Sequence, residues 1–217
     1  MTSLPKPRAI LLDWDNTLVD TWPCIARASN LTLEAMGLAP WTMDEVRARV
    51  AGSLRDTFPK IYGDRWEEAR QIYYKHFLDV HLEMLRVLPG AAEFLDRVRE
   101  TGVYLAVVSN KTGKYLRAEA AHLGWTPKFA KLVGAQDAPR DKPALDPVHL
   151  SLDGSGIALN EQVWFVGDAG IDVECGRAAG CSTVLVQAGV YDGAHRPHAH
   201  VKDCHALMDL FGQSIGN

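Results

Sequence analysis

Two aspartates one residue apart, Asp13 and Asp15, directly follow the apolar run AILL at residues 9–12. An amide and a hydroxyl come right behind them, at Asn16 and Thr17. Like carboxylates at close quarters repel each other and shift each other's pKa. Two of them at the end of a buried strand therefore indicate a bound cation or a proton-transfer reaction. Taken alone, this D-x-D-x-T pattern is also consistent with an Asx turn that closes a strand.

Three further groups of polar residues follow apolar segments or precede predicted helices. Ser109 and Asn110 offer a hydroxyl and backbone amides that suit phosphate oxygens, or else cap the following helix. Lys142 offers a cation, although an isolated lysine is usually a solvated surface group. Asp168 and Asp172 bring two more carboxylates to the same edge of the predicted sheet. Carboxylates at adjacent strand ends indicate a hard divalent cation, and we predict Mg²⁺.

The elements that must position these residues alternate along the chain. Segments 9–13, 103–109, 163–168 and 183–187 are short, apolar and rich in Val, Ile and Leu. Continuous apolarity is typical of strands that are buried on both faces, which favours a parallel sheet. Helical patterns at 90–100, 113–123 and 172–179 end at glycines suited to a helix C′ position. The alternation predicts a doubly wound α/β domain.

Residues 20–88 break this alternation with three helical patterns and no convincing strand. The first ends at Gly37, and Thr42 and Glu45 have the capping-box spacing at the start of the second. The third carries an apolar stripe of Trp66, Ala69, Tyr73, Phe77, Val80 and Met84. We therefore predict an α/β core of residues 1–19 and 89–217 and a small α-helical domain of residues 20–88 inserted after the first strand. An insert at that point would lie over the strand ends where open α/β sheets bind ligands.

The composition excludes several classes of partner. The 217 residues carry a formal net charge of -4 and the pI is about 6.0, so we expect no nucleic-acid or anionic-membrane partner. No apolar stretch approaches the roughly 20 residues that span a bilayer, and we expect no signal peptide. The four cysteines form no C-x-x-C pair, which predicts reduced, packed thiols in a cytoplasmic protein.

Taken in order, these motifs resemble those of the haloacid dehalogenase superfamily of phosphohydrolases over nearly the whole chain. "DWDNT" looks like the first family motif, "VVSN" the second, "KPALDP" the third and "FVGDAGID" the fourth. The helical insert and the later "GRAAG" are similar to the phosphoglycolate-phosphatase-like subgroup, whose insert is a C1 cap. The resemblance implies a Rossmann-like core and a Mg²⁺-dependent phosphatase that acts on a small phosphorylated metabolite.

The resemblance also implies catalytic roles. Asp13 would be the nucleophile that takes the phosphoryl group as an aspartyl-phosphate. Asp15 would protonate the leaving alcohol as general acid and then activate water as general base. Lys142 would neutralise the nucleophile and the developing phosphoryl charge, while Ser109 and nearby amides hold the phosphoryl oxygens. The presence of Asp15 selects phosphoester chemistry, because haloacid dehalogenases lack that second aspartate.

Further residues receive binding roles from the same resemblance. Mg²⁺ would be held by the Asp13 side chain, the Asp15 backbone carbonyl and Asp168, with Asp172 close by. Thr17 and Asn110 would contact the substrate. This sequence departs from the family at Asn16, where glycine is common, and asparagine tolerates the positive φ that such a turn needs.

Three alternatives stay open. A phosphomutase or a phosphonate hydrolase would use the same nucleophile with other cap groups. The sequence shows no decisive cap lysine for the phosphonate hydrolase, although Lys60 and Lys75 stay open for that role. A non-catalytic regulatory protein on this scaffold is disfavoured, because the set of motif residues is intact. A monomer and a homodimer fit the sequence equally well.

Two other features of the sequence allow either a structural or a functional interpretation. Segment 50–60, VAGSLRDTFPK, is predicted to be a loop because it contains Gly52, Ser53 and Pro59. Its Arg55 either binds a carboxylate or second phosphate of the substrate or is an ordinary solvated arginine. The C-terminal histidines are irregularly spaced, and we expect solvated or turn roles rather than a metal site for His195, His198, His200 and His205.

Overall fold

The computed structural model describes residues 4–50, 53–187 and 195–216. The chain divides into two compact units, one formed by Met1–Val19 with Val87–Asn217 and the other by Asp20–Arg86. The strands, in chain order, are β1 Ala9–Leu12, β2 Val19–Asp20, β3 Arg86–Val87, β4 Tyr104–Thr112, β5 Lys131–Ala135, β6 Val163–Gly167, β7 Ser182–Val186 and β8 Ala199–Val201. The helices are α1 Trp22–Ala35, α2 Met43–Arg49, α3 Leu54–Tyr62, α4 Trp66–Met84, α5 Ala91–Glu100, α6 Gly113–His122, α7 Asp146–Leu152, α8 Gly170–Ala178 and α9 Cys204–Ile215.

The first unit is built on a six-stranded sheet of order β5-β4-β1-β6-β7-β8. Neighbouring strands run parallel, and the strands alternate with helices along the chain, which confirms the predicted α/β fold. Every residue of β1, β6 and β7 is buried, as their continuous apolarity predicted. The first strand lies between β4 and β6, so its carboxyl end meets the ends of both neighbours.

Two strands and one helix of this unit were not predicted. The segment KLVGA of β5 begins with a lysine and includes a glycine, and β8 has only three residues, so neither shows a continuous apolar run. Both strands lie at the edges of the sheet, where burial on both faces is not required. The helix α9 begins at its N-cap Asp203, whose side chain accepts a hydrogen bond from the Ala206 N–H.

The second unit is helical apart from its two ends, where β2 and β3 pair although no strand was predicted in residues 20–88. Two of its predicted features are confirmed. The capping box at the start of α2 forms, since the Glu45 N–H donates to Thr42 Oγ1 at 3.3 Å and the Thr42 N–H donates to Glu45 Oε2 at 2.9 Å. The predicted stripe of α4 is buried at Ala69, Tyr73 and Phe77. It continues through His81, which stacks on Phe77, and Val80 and Met84 are only partly buried.

The prediction of a loop around Arg55 is wrong. Residues 54–62 form α3, with Ser53 at the N-cap and Pro59 inside the helix. Proline lacks the N–H that would bond to the Arg55 carbonyl one turn earlier, so the helix forms despite this local penalty. The buried Phe58 ring packs edge-on against Tyr62 and Tyr73, with centroid distances of 5.1 and 5.5 Å. Aromatic packing of this kind outweighs the loop signals of Ser53 and Pro59, while Gly52 lies outside the described residues.

The described residues contain no helix that is long and apolar enough to cross a membrane. All four cysteines are buried, reduced thiols, as their spacing predicted. Burial raises the pKa of the Cys175 and Cys181 thiols to about 12, so both are uncharged packing groups at neutral pH.

Candidate active site

The register of the sheet brings the predicted motifs to one edge. Leu12 at the end of β1 is level with Val107 in β4 and Val166 in β6. The next residue, Asp13, donates its backbone N–H to the Val166 carbonyl at 2.8 Å and is 7% exposed. The residues that follow these strand positions therefore converge on Asp13, as expected for parallel strands at a topological switch point.

The turn after Asp13 is closed by backbone hydrogen bonds. The Leu18 N–H donates to the Trp14 carbonyl at 3.0 Å, and the Asn16 N–H donates to the Val19 carbonyl at 2.6 Å. Asn16 has a φ of 58°, in the left-handed region that asparagine tolerates. The turn therefore forms with Asn16 at the position where glycine is common in the family.

Ser109 lies buried just beyond Val108 in β4, and its Oγ accepts the Lys111 backbone N–H at 3.2 Å. The alternative role of Ser109 and Asn110 as helix caps is wrong, because α6 begins at Gly113 with Thr112 as N-cap. The Asn110 side chain instead binds both backbone groups of Lys142, accepting its N–H at 3.0 Å and donating to its carbonyl at 3.2 Å. Asn110 thus fixes the lysine loop to β4, and its contact with the substrate stays a prediction.

Lys142 is the central cation of the cluster. Its side chain is 3% exposed, and Nζ donates to Asp13 Oδ1 at 2.8 Å and to Asp172 Oδ1 at 2.7 Å. Burial alone would lower the lysine pKa, but the two carboxylates raise it above its usual range. The group is therefore an ammonium at neutral pH.

Two more carboxylates come from the end of β6. Asp168 follows Gly167 directly, and Thr17 Oγ1 donates to Asp168 Oδ1 at a long 3.5 Å. Asp172, in the first turn of α8, accepts the Ala169 N–H at 3.1 Å. A Cβ on Gly167 would lie 2.3 Å from the Asp172 carboxyl carbon, so glycine is required for this close approach. Thr17, predicted to bind substrate, here contacts a carboxylate.

The aspartates repel one another. One carboxylate oxygen from each of Asp13, Asp168 and Asp172 lies within 4.8 Å of the others. The pKa of Asp13 is raised to about 6, chiefly by burial, with Lys142 lowering it and Asp172 and Asp15 raising it. Burial and the neighbouring carboxylates likewise hold the pKa of Asp168 well above its usual range. Three carboxylates around one ammonium leave an excess of negative charge, and this all-oxygen donor set fits a hard divalent cation such as Mg²⁺.

The Asp15 carboxylate lies outside this cluster and contacts Lys111, whose Nζ is 2.7 Å from Asp15 Oδ1. Lys111 and its second partner, Glu119, were not predicted as site residues. A sequence signal existed for Glu119, because it occupies the buried face of α6 together with Tyr115, Leu116 and Ala120. A carboxylate on such an apolar face needs a partner.

Arg55 is the one predicted site residue in the second unit, where it is partly buried in α3. The histidines do not form a cluster with ligand spacing in the described part of the chain. His198 hydrogen-bonds to Thr183 and Arg177, and His200 to the Gln187 carbonyl. These hydrogen bonds give His198 and His200 structural roles.

Comparison with known proteins places the chain in a family. A profile of the haloacid dehalogenase-like hydrolases matches residues 10–186. A phosphoglycolate phosphatase of Aquifex aeolicus (strain VF5) is 32% identical over 183 residues, which are 84% of this chain and 85% of that protein. An N-acetylmuramic acid 6-phosphate phosphatase of Pseudomonas aeruginosa is 29% identical over 84% of this chain and 82% of its own length.

Solved structures share the fold. A haloacid dehalogenase-like hydrolase from Bacteroides fragilis superposes with a TM-score of 0.85 at 22% identity, over 93% of this chain and 100% of that one. A structure from Haemophilus somnus, described as a predicted phosphoglycolate phosphatase, has a TM-score of 0.83 at 21% identity, over 94% of this chain and 98% of its own. With the four motifs, the matched sheet and the profile in agreement, this chain is an enzyme of the haloacid dehalogenase-like hydrolase family.

Proposed function

We propose that the protein is a Mg²⁺-dependent phosphoric monoester hydrolase that works through a phosphoryl group on Asp13. The observation that carries this proposal is the buried contact of Lys142 with Asp13 and Asp172 at the strand ends, beside Asp168. A carboxylate and an ammonium that are nearly excluded from water cost free energy and need a chemical justification. Nucleophilic attack by Asp13 on a phosphoryl group supplies one.

The reaction would proceed in two displacements. Asp13 attacks phosphorus, the bond to the leaving oxygen breaks, and Asp15 gives that oxygen its proton. Water then attacks the same phosphorus and gives a proton to Asp15, and the bond between Asp13 and phosphorus breaks. Lys142 holds Oδ1 of the nucleophile, and the Ser109 hydroxyl with neighbouring backbone N–H groups binds the phosphoryl oxygens.

Asp13 and Asp168, together with the Asp15 backbone carbonyl, would hold the metal ion, with Asp172 beside them. When bound, Mg²⁺ supplies positive charge that offsets the carboxylates and the developing phosphoryl charge. The raised pKa values of Asp13 and Asp168 support this assignment, because they result from burial and then from neighbouring carboxylates, and a bound cation would offset both effects.

The substrate class we propose is a small phosphate monoester that also carries a carboxylate. The names of two relatives contain phosphoglycolate and N-acetylmuramic acid 6-phosphate. Both compounds are phosphate monoesters that also carry a carboxyl group. We propose that residues 20–88 form a helical C1 cap that recognises the part of the substrate beyond the phosphate, and that 1–19 and 89–217 form the catalytic core. The -4 net charge and the buried free thiols favour a cytoplasmic protein that acts without a nucleic-acid partner.

The direct test is hydrolysis of a panel of phosphorylated metabolites and p-nitrophenyl phosphate with and without Mg²⁺. We expect phosphate release that falls at least tenfold in EDTA and returns when excess Mg²⁺ is added. Activity that EDTA leaves unchanged would remove the metal from the proposal. Transfer of phosphate between sugar positions, or cleavage of a phosphonate, would favour the phosphomutase or the phosphonate hydrolase instead.

Within the proposed cap, Arg55 is our candidate for binding the substrate carboxylate through two parallel hydrogen bonds. Arg55→Ala should lower kcat/KM for phosphoglycolate roughly thirtyfold. This corresponds to a loss of about 2 kcal/mol of transition-state stabilisation, as for a lost charge-assisted contact. Hydroxyethyl phosphate, in which an alcohol replaces the carboxylate, and p-nitrophenyl phosphate should change little.

Arg70→Ala is the matched control, because Arg70 lies in the same unit and its contact there is with an aromatic ring. The Arg70 Cζ lies 5.2 Å from the centroid of the Trp66 ring. This variant should leave all three substrates nearly unaffected. An equal fall for all three substrates in Arg55→Ala, or no fall for any, would mean that Arg55 does not select the carboxylate.

A further inference from the structure

A second buried ion pair adjoins the site. Lys111 Nζ lies 2.8 Å from Glu119 Oε1 and 2.7 Å from Glu119 Oε2, in addition to its 2.7 Å contact with Asp15 Oδ1. The Lys111 side chain is 5% exposed and that of Glu119 is 1% exposed. Burial alone would lower the pKa of Lys111, but Asp15 and Glu119 raise it above its usual range, so the lysine is charged.

The other end of this pair is anchored by the residue between the two motif aspartates. Trp14 Nε1 donates to Glu119 Oε2 at 2.7 Å. The indole is fully buried and packs edge-on against Trp125 and Phe129, with centroid distances of 5.9 and 6.3 Å. A rigid aromatic cluster therefore holds Glu119, Glu119 holds Lys111, and Lys111 holds Asp15.

A buried ion pair contributes little net stability, because desolvation of both charges offsets their attraction. Apolar side chains of similar size would fill the same space at no greater cost. What the pair does supply is a fixed position for the Asp15 carboxylate, which is 20% exposed and would otherwise rotate. Proton transfer requires the carboxylate to lie within hydrogen-bond distance of the leaving oxygen, and small displacements reduce the rate steeply.

We propose that Lys111, held by Glu119 and the Trp14 indole N–H, is the residue that positions Asp15 for proton transfer. The ion pair uses Oδ1 of Asp15, so Oδ2 is the oxygen that exchanges a proton with the leaving group and then with water. This inference rests on the proposed phosphatase function, but it assigns a positioning role to Lys111 and Glu119, which lie outside the quoted motifs, and to the Trp14 side chain between the two motif aspartates.

The test compares two substrates whose leaving groups differ in their need for a proton. Departure of p-nitrophenolate needs no proton, whereas departure of an alkoxide from phosphoglycolate does. In Lys111→Met, phosphoglycolate turnover should fall about a hundredfold or more, as for loss of general acid catalysis. With p-nitrophenyl phosphate, one equivalent of p-nitrophenol should still appear in a fast burst. The steady state that follows should be slow, because Asp15 must also activate the water.

Matched variants separate positioning from buried charge. Lys111→Met with Glu119→Gln removes both charges, should keep the wild-type melting temperature, and should show the same burst. Lys111→Arg keeps a cation, but its larger planar head cannot reproduce all three short contacts, so activity should recover only in part, to a level above that of Lys111→Met. Lys131→Met removes a partly exposed lysine of the same unit, which contacts the Leu150 carbonyl, and should leave both substrates unaffected.

An equal fall in the rate at which the first equivalent of leaving group is released from the two substrates, no fall in the steady-state turnover of either, or loss of the burst in the double variant would overturn the proposal. If Lys111→Met does not fold, the burst measured with the double variant tests the proposal in its place. If the wild-type protein hydrolyses no phosphate ester, it is the proposed function that has failed. Crystal structures then still test the positioning role, because the Asp15 side chain must be displaced in the double variant, and an unmoved Asp15 contradicts it.

Discussion

Replacing Asp13 by asparagine should abolish phosphate-ester hydrolysis and leave the fold intact. An amide cannot form the acyl-phosphate, so no first displacement takes place. We expect kcat to fall by at least about three orders of magnitude, as for loss of a nucleophile. Steady-state assays with phosphoglycolate and p-nitrophenyl phosphate measure this fall. If the variant kept a tenth of the wild-type rate, another residue would have to be the nucleophile.

The stability of this variant serves as its control. Because burial raises the pKa of Asp13 from 3.8 to about 6, the native state binds the proton more tightly than the unfolded state does. Ionisation of Asp13 therefore costs stability as the pH rises through about 6, and asparagine removes that cost. In EDTA at pH 7.5, the melting temperature of Asp13→Asn should equal or exceed that of wild type. Asp153→Asn changes an exposed carboxylate of the same unit and should alter neither activity nor melting temperature.

Replacing Lys142 by methionine should have the second largest effect on activity. The ammonium contacts Asp13 and Asp172 directly, and the Lys142 side chain is 3% exposed. Its loss would leave both carboxylates buried without this counter-ion. We expect kcat to fall about a hundredfold to a thousandfold, the range found when one charge-stabilising donor is removed. The metal-free variant should also lose about 3–5 kcal/mol of stability at neutral pH, the usual effect of breaking a buried ion pair.

Lys142→Arg is the informative control for this prediction. It keeps the positive charge, but a planar guanidinium is larger than an ammonium and cannot reproduce both contacts of 2.8 and 2.7 Å in a closed site. Stability should recover more than activity does. Chemical denaturation and steady-state kinetics on the same samples measure the two effects. Activity of Lys142→Met within tenfold of wild type would contradict the central role of this lysine.

Much of the core of this site could be predicted from the sequence, because strand ends and polar motifs coincide. Each continuous apolar run predicted a buried strand, and parallel strands bring residues after their carboxyl ends to one edge. Short-range patterns and the order of the segments are therefore enough to place Asp13, Ser109 and Asp168 near one another. Lys142 follows β5, which was not predicted, and only the family resemblance placed it in the site.

The contacts that were missed depend on long-range packing. The link from Trp14 to Glu119 joins residues 105 positions apart, and no local pattern specifies that pair. The predicted substrate contact of Asn110 rested on backbone amides, and no local pattern predicts that its side chain binds the backbone of Lys142, 32 positions away. In α3, the rings packed around Phe58 stabilise a helix that Pro59 disfavours locally. Local patterns mislead wherever a tertiary contact stabilises the chain more than the local preference does.

The most direct test of the central claim is a search for the phosphoryl group on Asp13 itself. In Asp15→Asn, the second displacement should be slow, because no base activates the water, and the phosphoenzyme should accumulate after mixing with p-nitrophenyl phosphate and Mg²⁺. Acid quenching, trypsin cleavage and mass spectrometry should then find one added phosphoryl group on the peptide of residues 9–27, localised to Asp13 and removed by hydroxylamine. A phosphoryl group on another residue, or hydrolysis by Asp15→Asn at the wild-type rate, would contradict the account.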